Sequence, residues 1–250
     1  MSAEISKNQI DKLGNHLKKR KIQAVDLKVL DAYRKSFSGI YTHTINKIRT
    51  QIHLDPVGRP AKSTLAIIDK LQRESIRLTQ MQDIAGCRIV VENMFVQNQT
   101  VDSLSQVFPE AVVIDRRSKP SHGYRAVHLI VQSAGKAMEI QVRTELQHLW
   151  AELSERLADA MEDTGIKYGQ GNKKALDLLR ECSEIIQQQE YDEHNIINLE
   201  KEIKALKQKM QPVNTLYSKF DRLKARIKID GRNLKQLISV CIKQISESVE

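Results

Sequence analysis

The sequence predicts an α+β protein, a mixed β-sheet flanked by N-terminal and C-terminal helices. Three observations lead there. Short apolar, β-branched runs cluster in the middle of the chain: GCRIVV (86–91), AVVI (111–114), AVHLIVQ (126–132) and MEIQVRT (138–144) read as strands. Before them, apolar residues recur at helical spacing. After Asn172 the chain again reads as helix, with few breakers.

In order, Ile5, Ile10, Leu13 and Leu17 mark a first helix over residues 5–20. Leu27, Leu30, Tyr33, Phe37, Ile40, Ile45 and Ile48 carry a second helical stretch from Val25 to Ile52. Asp55-Pro56, Gly58 and Pro60 break it. Residues 62–73 form a short helix on which Lys62, Lys70 and Arg73 can share a face. Residues 97–107 and 145–161 are helical. In the final part Leu178, Ile185, Ile196, Leu199, Ile203 and Leu206 supply an incomplete heptad-like stripe, and Pro212 interrupts the helix. The organisation expected is N-terminal helices over 1–54, an α+β core over 55–171 and a helical extension over 172–250.

The chain has 250 residues, 40% hydrophobic and 28% charged, which excludes wholesale disorder and fits a globular protein. Its 4% aromatic content argues against an aromatic stacking surface for carbohydrate or single strands. No run approaches the ~18 apolar residues of a membrane span, and the polar N-terminus lacks the apolar core of a signal peptide. Three widely spaced cysteines, Cys87, Cys182 and Cys241, fit neither a disulfide framework nor a zinc site. A reduced, cytoplasmic protein with no membrane partner is expected. The net charge of +9 suits anionic ligands, nucleotides or nucleic acid, and is equally compatible with plain solubility.

Four segments could carry chemistry. In MEIQVRT, alternation turns Met138, Ile140 and Val142 one way and Glu139, Gln141 and Arg143 the other. A surface strand would look the same, yet a carboxylate, an amide and a guanidinium in one row can hold a metal, read a base edge and bind phosphate. In QDIAGCRIVV, Asp83 precedes a strand that carries Arg88. Asp83 is a turn residue or, if folding brings it to Glu139, half of a carboxylate pair for Mg²⁺. In KPSHGYRAVH, a turn leads into a strand on one face of which Tyr124, Ala126 and His128 fall; the pair is a buried tyrosine and a satisfied histidine, or a base platform and a phosphate contact. GRPAKSTLAIIDKLQR lacks the second glycine of a phosphate loop. A triphosphate there would be held by the side chains of Arg59, Lys62, Lys70 and Arg73, which otherwise make a solvated basic helix.

Together, in this order, the segments resemble the synthetase domain of the RelA/SpoT family, a nucleotidyltransferase-like domain. Glu139-Ile140-Gln141-Val142-Arg143-Thr144 resembles the family's EIQ-x-RT motif, and Gln147 to Glu152 its continuation. Gly123-Tyr124-Arg125-Ala126-Val127-His128 resembles GYR-x-x-H, Asp83 to Arg88 resembles D-x-x-x-x-R, and Gly58-Arg59 with Lys62 resembles the opening GR-x-K. The matching stretch runs from about Gly58 to Gly171, nearly half of the chain.

The resemblance implies transfer of pyrophosphate from ATP to the 3′-hydroxyl of GDP or GTP, with Mg²⁺ as cofactor and AMP released. It implies that Asp83 and Glu139 hold the metal, with Glu139 also the general base. Arg59, Lys62, Lys70, Arg73 and Arg88 would hold ATP. Tyr124 would stack on the acceptor guanine, in a pocket lined by His128, Gln141 and Ala151. Arg143 would be a phosphate or structural contact. The acceptor phosphates would meet Arg116, Arg117 or Lys119, because Lys119-Pro120-Ser121-His122 stands where the long family members have a Pro-Lys order. The opening motif is one residue longer than usual, with Pro60-Ala61 before Lys62, and Ala66 stands where many members have serine. The chain has no His-Asp dipeptide, on which the family's hydrolase half depends, so a synthetase-only enzyme is expected, as a homo-oligomer. The same fold in other family members acts on the 3′ end of tRNA or on adenosine nucleotides. A catalytically silent scaffold is the non-enzymatic alternative.

Overall fold

The computed structural model describes residues 5–209 and 213–249. The chain divides into two compact units, each built from several segments: 1–89, 102–114 and 128–141 in the first, 90–101, 115–127 and 142–250 in the second.

Five strands form a mixed sheet in the order β1-β2-β5-β4-β3. They are β1 (Val57–Arg59), β2 (Ala85–Val91), β3 (Val112–Asp115), β4 (Val127–Ser133) and β5 (Lys136–Thr144). Four of them lie within two residues of the sequence expectation. β1 is the exception, because its three residues are too few to show an alternation and stand between Pro56 and Pro60. It pairs antiparallel with β2, Val57 opposite Arg88 and Arg59 opposite Gly86. A Cβ at Gly58 would run into the Tyr41 hydroxyl, so a larger residue there would displace the Tyr41 ring end.

In the first unit, α1 (Lys7–Lys18) begins with a capping box in which Ser6 and Gln9 satisfy each other's backbone. The helical stretch expected over Val25 to Ile52 is divided into α2 (Ala24–Lys35), α3 (Ser38–Lys47) and a π turn (Ile48–Ile52). The break falls where the ladder tightens to three-residue bonds, Ser36 N–H to the Tyr33 carbonyl and Phe37 N–H to the Arg34 carbonyl, both at 3.2 Å, with Ser36 Oγ also donating to the Tyr33 carbonyl at 2.6 Å. His53, left-handed at φ 59°, ends the stretch. α4 (Thr64–Arg73) starts at Ser63, whose side chain accepts from the Ala66 amide. Its apolar face buries Ile67, Ile68 and Leu71, so its basic residues turn outward from that core.

β4 and β5 are joined by a two-residue turn. Ala134 and Gly135 have φ of 47° and 70°, and positive φ at both positions is what a type I′ hairpin requires. Alanine in that region costs about 1 kcal/mol relative to glycine. Ala134→Gly at this exposed position is therefore expected to raise the thermal midpoint by about 2–4 °C, checked by calorimetry.

In the second unit, Thr144 and Gln147 form the capping box of α6 (Glu145–Ala160). α6 packs with α7 (Lys173–Gln208) and α8 (Asn214–Val249) around Trp150, Leu153, Leu179, Ile186 and Ile238. Residues 94–101 of α5 (Met94–Val107) belong to this unit and residues 102–107 to the first. The heptad-like stripe expected on α7 holds only in its second half. Leu199 and Ile203 are buried, but Ile185 is 41% exposed, and the inner face of the first half is Ala175, Leu179, Cys182, Ser183, Ile186 and Glu190. Small and polar residues on that face hide it from an apolar count. The break at Pro212 lies outside the described residues. Among the described residues, no helix is long and apolar enough to cross a membrane.

Candidate active site

In the first unit, the turn leading into β2 delivers Asp83, α4 delivers one partner, Lys70, and the segment ahead of the Ser63 cap delivers the other, Lys62, which corrects the expectation that Lys62 shares a helix face with Lys70 and Arg73. Lys62 Nζ donates to Asp83 Oδ2 at 2.8 Å and Lys70 Nζ to Oδ1 at 2.9 Å. Lys62 is anchored in turn by its amide, which donates to the Ile84 carbonyl at 2.7 Å. Arg59, at the end of β1, donates to the Asp83 carbonyl at 2.9 Å. Burial pushes the Asp83 carboxyl up, but the two ammonium groups overcome it and hold the group far below the usual carboxylate range. Burial also holds Lys62 below the ordinary lysine range, offset only in part by Asp83.

Glu139 sits in the middle of β5 on the row that alternation assigns to it. Its Oε1 lies 2.9 Å from His128 Nδ1 on β4, and its Oε2 accepts from Gln141 Nε2 at 2.6 Å. Burial raises its pKa, as does the negative charge of Asp83. The hydrogen bond and charge of His128 and the bond from Gln141 prevail, so Glu139 is held below its ordinary value. Met138, Ile140 and Val142 are fully buried on the opposite face.

Gly86 on β2 brings these groups together. A Cβ there would lie 3.0 Å from the Glu139 carbonyl, 3.9 Å from Glu139 Cβ and 3.8 Å from Arg59 Nη2, so any side chain would push into the cluster. Cys87 beside it has its thiol pushed up to about 12 by burial and then by the Glu139 charge. It is a neutral packing residue, not a nucleophile. Arg88 is half-buried on the same face of β2 as Gly86. Arg73, in the last turn of α4, is paired with Glu74 at 3.2 Å and is exposed.

Among the described residues no group of three or more His, Cys, Asp or Glu could hold a metal ion by itself. Asp83 and Glu139 are two carboxylates, the ligand type magnesium takes together with water and substrate phosphates, and here their oxygens are engaged by Lys62, Lys70, His128 and Gln141.

In the second unit, Tyr124 lies in a tight turn, its amide donating to the Ser121 carbonyl at 2.9 Å. β4 begins only at Val127, which corrects the expectation that Tyr124, Ala126 and His128 share a strand face. Arg143 Nη2 donates to the Tyr124 hydroxyl at 3.0 Å, and its guanidinium carbon lies 5.1 Å from the ring centroid. The Trp150 ring is 6.4 Å away, and Ala151 is buried on the next position of α6. Lys119 and Arg116 are exposed, whereas Arg117 is engaged by Asp115, Gln97 and Asn98.

The structure thus gathers Arg59, Lys62, Lys70, Asp83, His128, Glu139 and Gln141 in the first unit. Lys119, Tyr124 and Ala151 belong to the second. His128 and Gln141, expected to line the acceptor pocket with Tyr124, are the hydrogen-bond partners of Glu139.

Sequence reasoning missed a buried polar network in the second unit. Glu190 of α7 accepts from Arg125 through Oε2 and from Gln147 at 2.7 Å through Oε1, and Gln97 donates to Gln147 at 2.8 Å. The one available signal was a carboxylate on the apolar side of a helix.

Residues 58–158 match the family described as "Region found in RelA / SpoT proteins". An uncharacterized protein of Mycobacterium tuberculosis is 38% identical over 112 residues, covering 43% of this chain and 41% of that protein. The Oryza sativa protein named "Probable GTP diphosphokinase RSH3, chloroplastic" is 30% identical over 95 residues, covering 36% of this chain and 13% of that protein. The matched part therefore spans about two-fifths of the first relative's length and less of the second's. The crystal structure of small alarmone synthetase 1 from Bacillus subtilis, bound to its product pppGpp, shares the fold with a TM-score of 0.50 at 24% identity. The match covers 68% of this chain and 95% of that one.

Proposed function

We propose, from the premise that residues 58–158 are a region of the kind found in RelA / SpoT proteins, that the chain transfers pyrophosphate from ATP to the 3′-hydroxyl of GDP or GTP. The observation that carries this reading is the cluster in the first unit. A buried, ionised carboxylate, Glu139, feels the charge of a second, Asp83, which two lysines and an arginine surround. Such a site can take a polyanion and still accept a proton.

The acceptor's 3′-oxygen attacks the β-phosphorus of ATP. The new O–P bond carries the pyrophosphate, the bond from the β-phosphorus to the oxygen bridging to the α-phosphate breaks, and that oxygen departs on AMP. The hydroxyl proton passes to Glu139, whose carboxylate His128 and Gln141 hold in place. Arg59, Lys62, Lys70, Arg73 and Arg88 hold the triphosphate and neutralise its charge. Mg²⁺ held by Asp83 and Glu139 would supply further neutralisation of the phosphate oxygens. In the second unit Tyr124, beside Ala151, takes the acceptor guanine, and Lys119 meets its phosphates.

A label-transfer assay tests this. Protein, Mg²⁺ and ATP labelled at the terminal phosphate are offered GDP, GTP, ADP or ATP, and deacylated tRNA separately, with Glu139→Gln as control. Label on GDP or GTP, lost in the variant, is the expected result. Label on no acceptor would sink the enzymatic reading and leave a binding protein.

One observation favours tRNA as the acceptor instead. Lys224, Lys228 and Arg232 recur every four residues on α8, and all three are exposed. That reading predicts label on tRNA alone, and binding that weakens with a log–log salt slope of about −2 to −3 for three phosphate contacts.

A further inference from the structure

The turn that carries Tyr124 is held from α7 on both of its sides. Ser183 Oγ donates to the Gly123 carbonyl at 2.9 Å. Arg125 donates to Glu190 Oε2 through Nε at 2.9 Å and through Nη2 at 2.5 Å. Ser183 and Glu190 are two helical turns apart, so they lie on one face of α7, and both are 7% exposed. Gly123 leaves no slack between them. Its φ is +90°, and a Cβ there would come 2.8 Å from the Trp150 ring and 3.1 Å from Ser183 Cβ.

Glu190 does more than neutralise Arg125. Its second oxygen accepts from Gln147 at 2.7 Å, and Gln147 accepts from the Thr144 amide in the capping box of α6. One buried carboxylate therefore fixes both the Tyr124 turn and the first turn of the helix that bears Trp150 and Ala151. The Tyr124 ring has Arg143 against it on one side and Trp150 nearby, so its direction follows from these two anchors. A fold that needed only a packed α7 would be served by apolar residues at 183 and 190. A buried ion pair gives little net stability over apolar packing, whereas the two hydrogen bonds from Arg125 to one Glu190 oxygen are directional and hold that side of the turn in place.

We infer that Ser183 and Glu190 are positioning residues for the acceptor nucleobase, setting the Tyr124 ring for stacking. The inference rests on the reading of Tyr124 as the platform for the acceptor guanine. It assigns the C-terminal helix α7 a part in acceptor affinity although neither side chain touches the nucleotide.

The sole tryptophan, Trp150, reports on this site, because its Nε1 donates to the Leu179 carbonyl at 2.7 Å and its ring neighbours Tyr124. GDP and, separately, ATP are titrated into the full chain, read by Trp150 fluorescence for GDP and by calorimetry for both. The proteins are the wild type, Ser183→Ala, Glu190→Gln and Tyr124→Ala. Both α7 variants are expected to weaken GDP binding by about tenfold and to leave ATP binding within about twofold, as loss of one oriented contact would do. If Tyr124→Ala weakens GDP binding while the α7 variants leave it unchanged, the positioning role is wrong and the platform stands. If Tyr124→Ala itself leaves GDP binding unchanged, the platform reading has failed and the inference goes with it. Equal losses for GDP and ATP would mark a merely structural role and overturn it. Should Glu190→Gln fail to fold, Ser183→Ala decides, since it removes one hydrogen bond and no volume that packing needs.

Discussion

If the chain transfers pyrophosphate as proposed, Glu139→Gln is expected to lower kcat by about 1000-fold, within the range for loss of a general base, and to leave the thermal midpoint unchanged or higher. The two readouts separate because of what surrounds the side chain. Glutamine fills the same space, keeps an oxygen and an amide for His128 and Gln141, and removes a buried negative charge that lies within the field of Asp83. What it cannot do is take a proton from a ribose hydroxyl. Turnover within about tenfold of the wild type would rule Glu139 out as the base. The pH profile gives a second check. Since Glu139 is held below its ordinary value, the acid limb of kcat/KM should fall below the usual carboxylate range. His128→Leu removes the main lowering influence and leaves burial and Asp83, both of which raise the group. The limb should then move to higher pH.

Asp83→Asn should cost both stability and activity. It leaves two ammonium groups, on side chains only 13% and 21% exposed, without their counter-charge. Breaking a buried pair by removing one partner costs about 3 kcal/mol, at the low end of the range because Lys70 retains some solvent. That lowers the thermal midpoint by about 6–12 °C. The folded-state pKa of Asp83 lies below its unfolded value. Its contribution is therefore fully present above the unfolded carboxylate range and is lost as pH falls through the folded value. Hence the gap between wild type and Asp83→Asn should be widest near neutrality and close in strong acid. Adding Lys62→Met should restore part of the loss at neutral pH, since the two residues share one interaction. A gap independent of pH would show that the pairing is not its cause. On the proposed reading, transfer activity of Asp83→Asn should fall at least about 100-fold, because the variant loses one of the two carboxylates that would hold Mg²⁺ and the group that positions Lys62 and Lys70.

The extent to which the site was legible differs from residue to residue. Glu139 and Gln141 were readable as a row because strand alternation is local, and the burial of Met138, Ile140 and Val142 confirms the facing. Asp83 was readable as a residue of interest, but the identity of its partners was not. Lys62 is 21 residues from it and Lys70 is 13. Their meeting depends on how β1 and α4 fold back against β2. The division of the 25–52 helix at Ser36 was missed because it is a local tightening of the backbone bonds at residues 36 and 37, which leaves the spacing of apolar residues unbroken.

The sequence alone determined the α+β class, four of the five strands, the existence of the longer α-helices apart from the break near Ser36, and the motifs that resemble the RelA/SpoT region. Each of these is written in short-range periodicity or in local runs of residues, which the chain cannot hide. Only the tertiary structure decided which groups face one another. It placed His128 and Gln141 on Glu139, put two lysines on Asp83, and tied the Tyr124 turn to Ser183 and Glu190, about 60 residues further along the chain. The physical reason is the same in each case. Burial of apolar faces is dictated by local spacing, whereas the pairing of charged and polar groups is settled by whichever partners the turns and helix packing bring within about 3 Å of each other in a poorly solvated space.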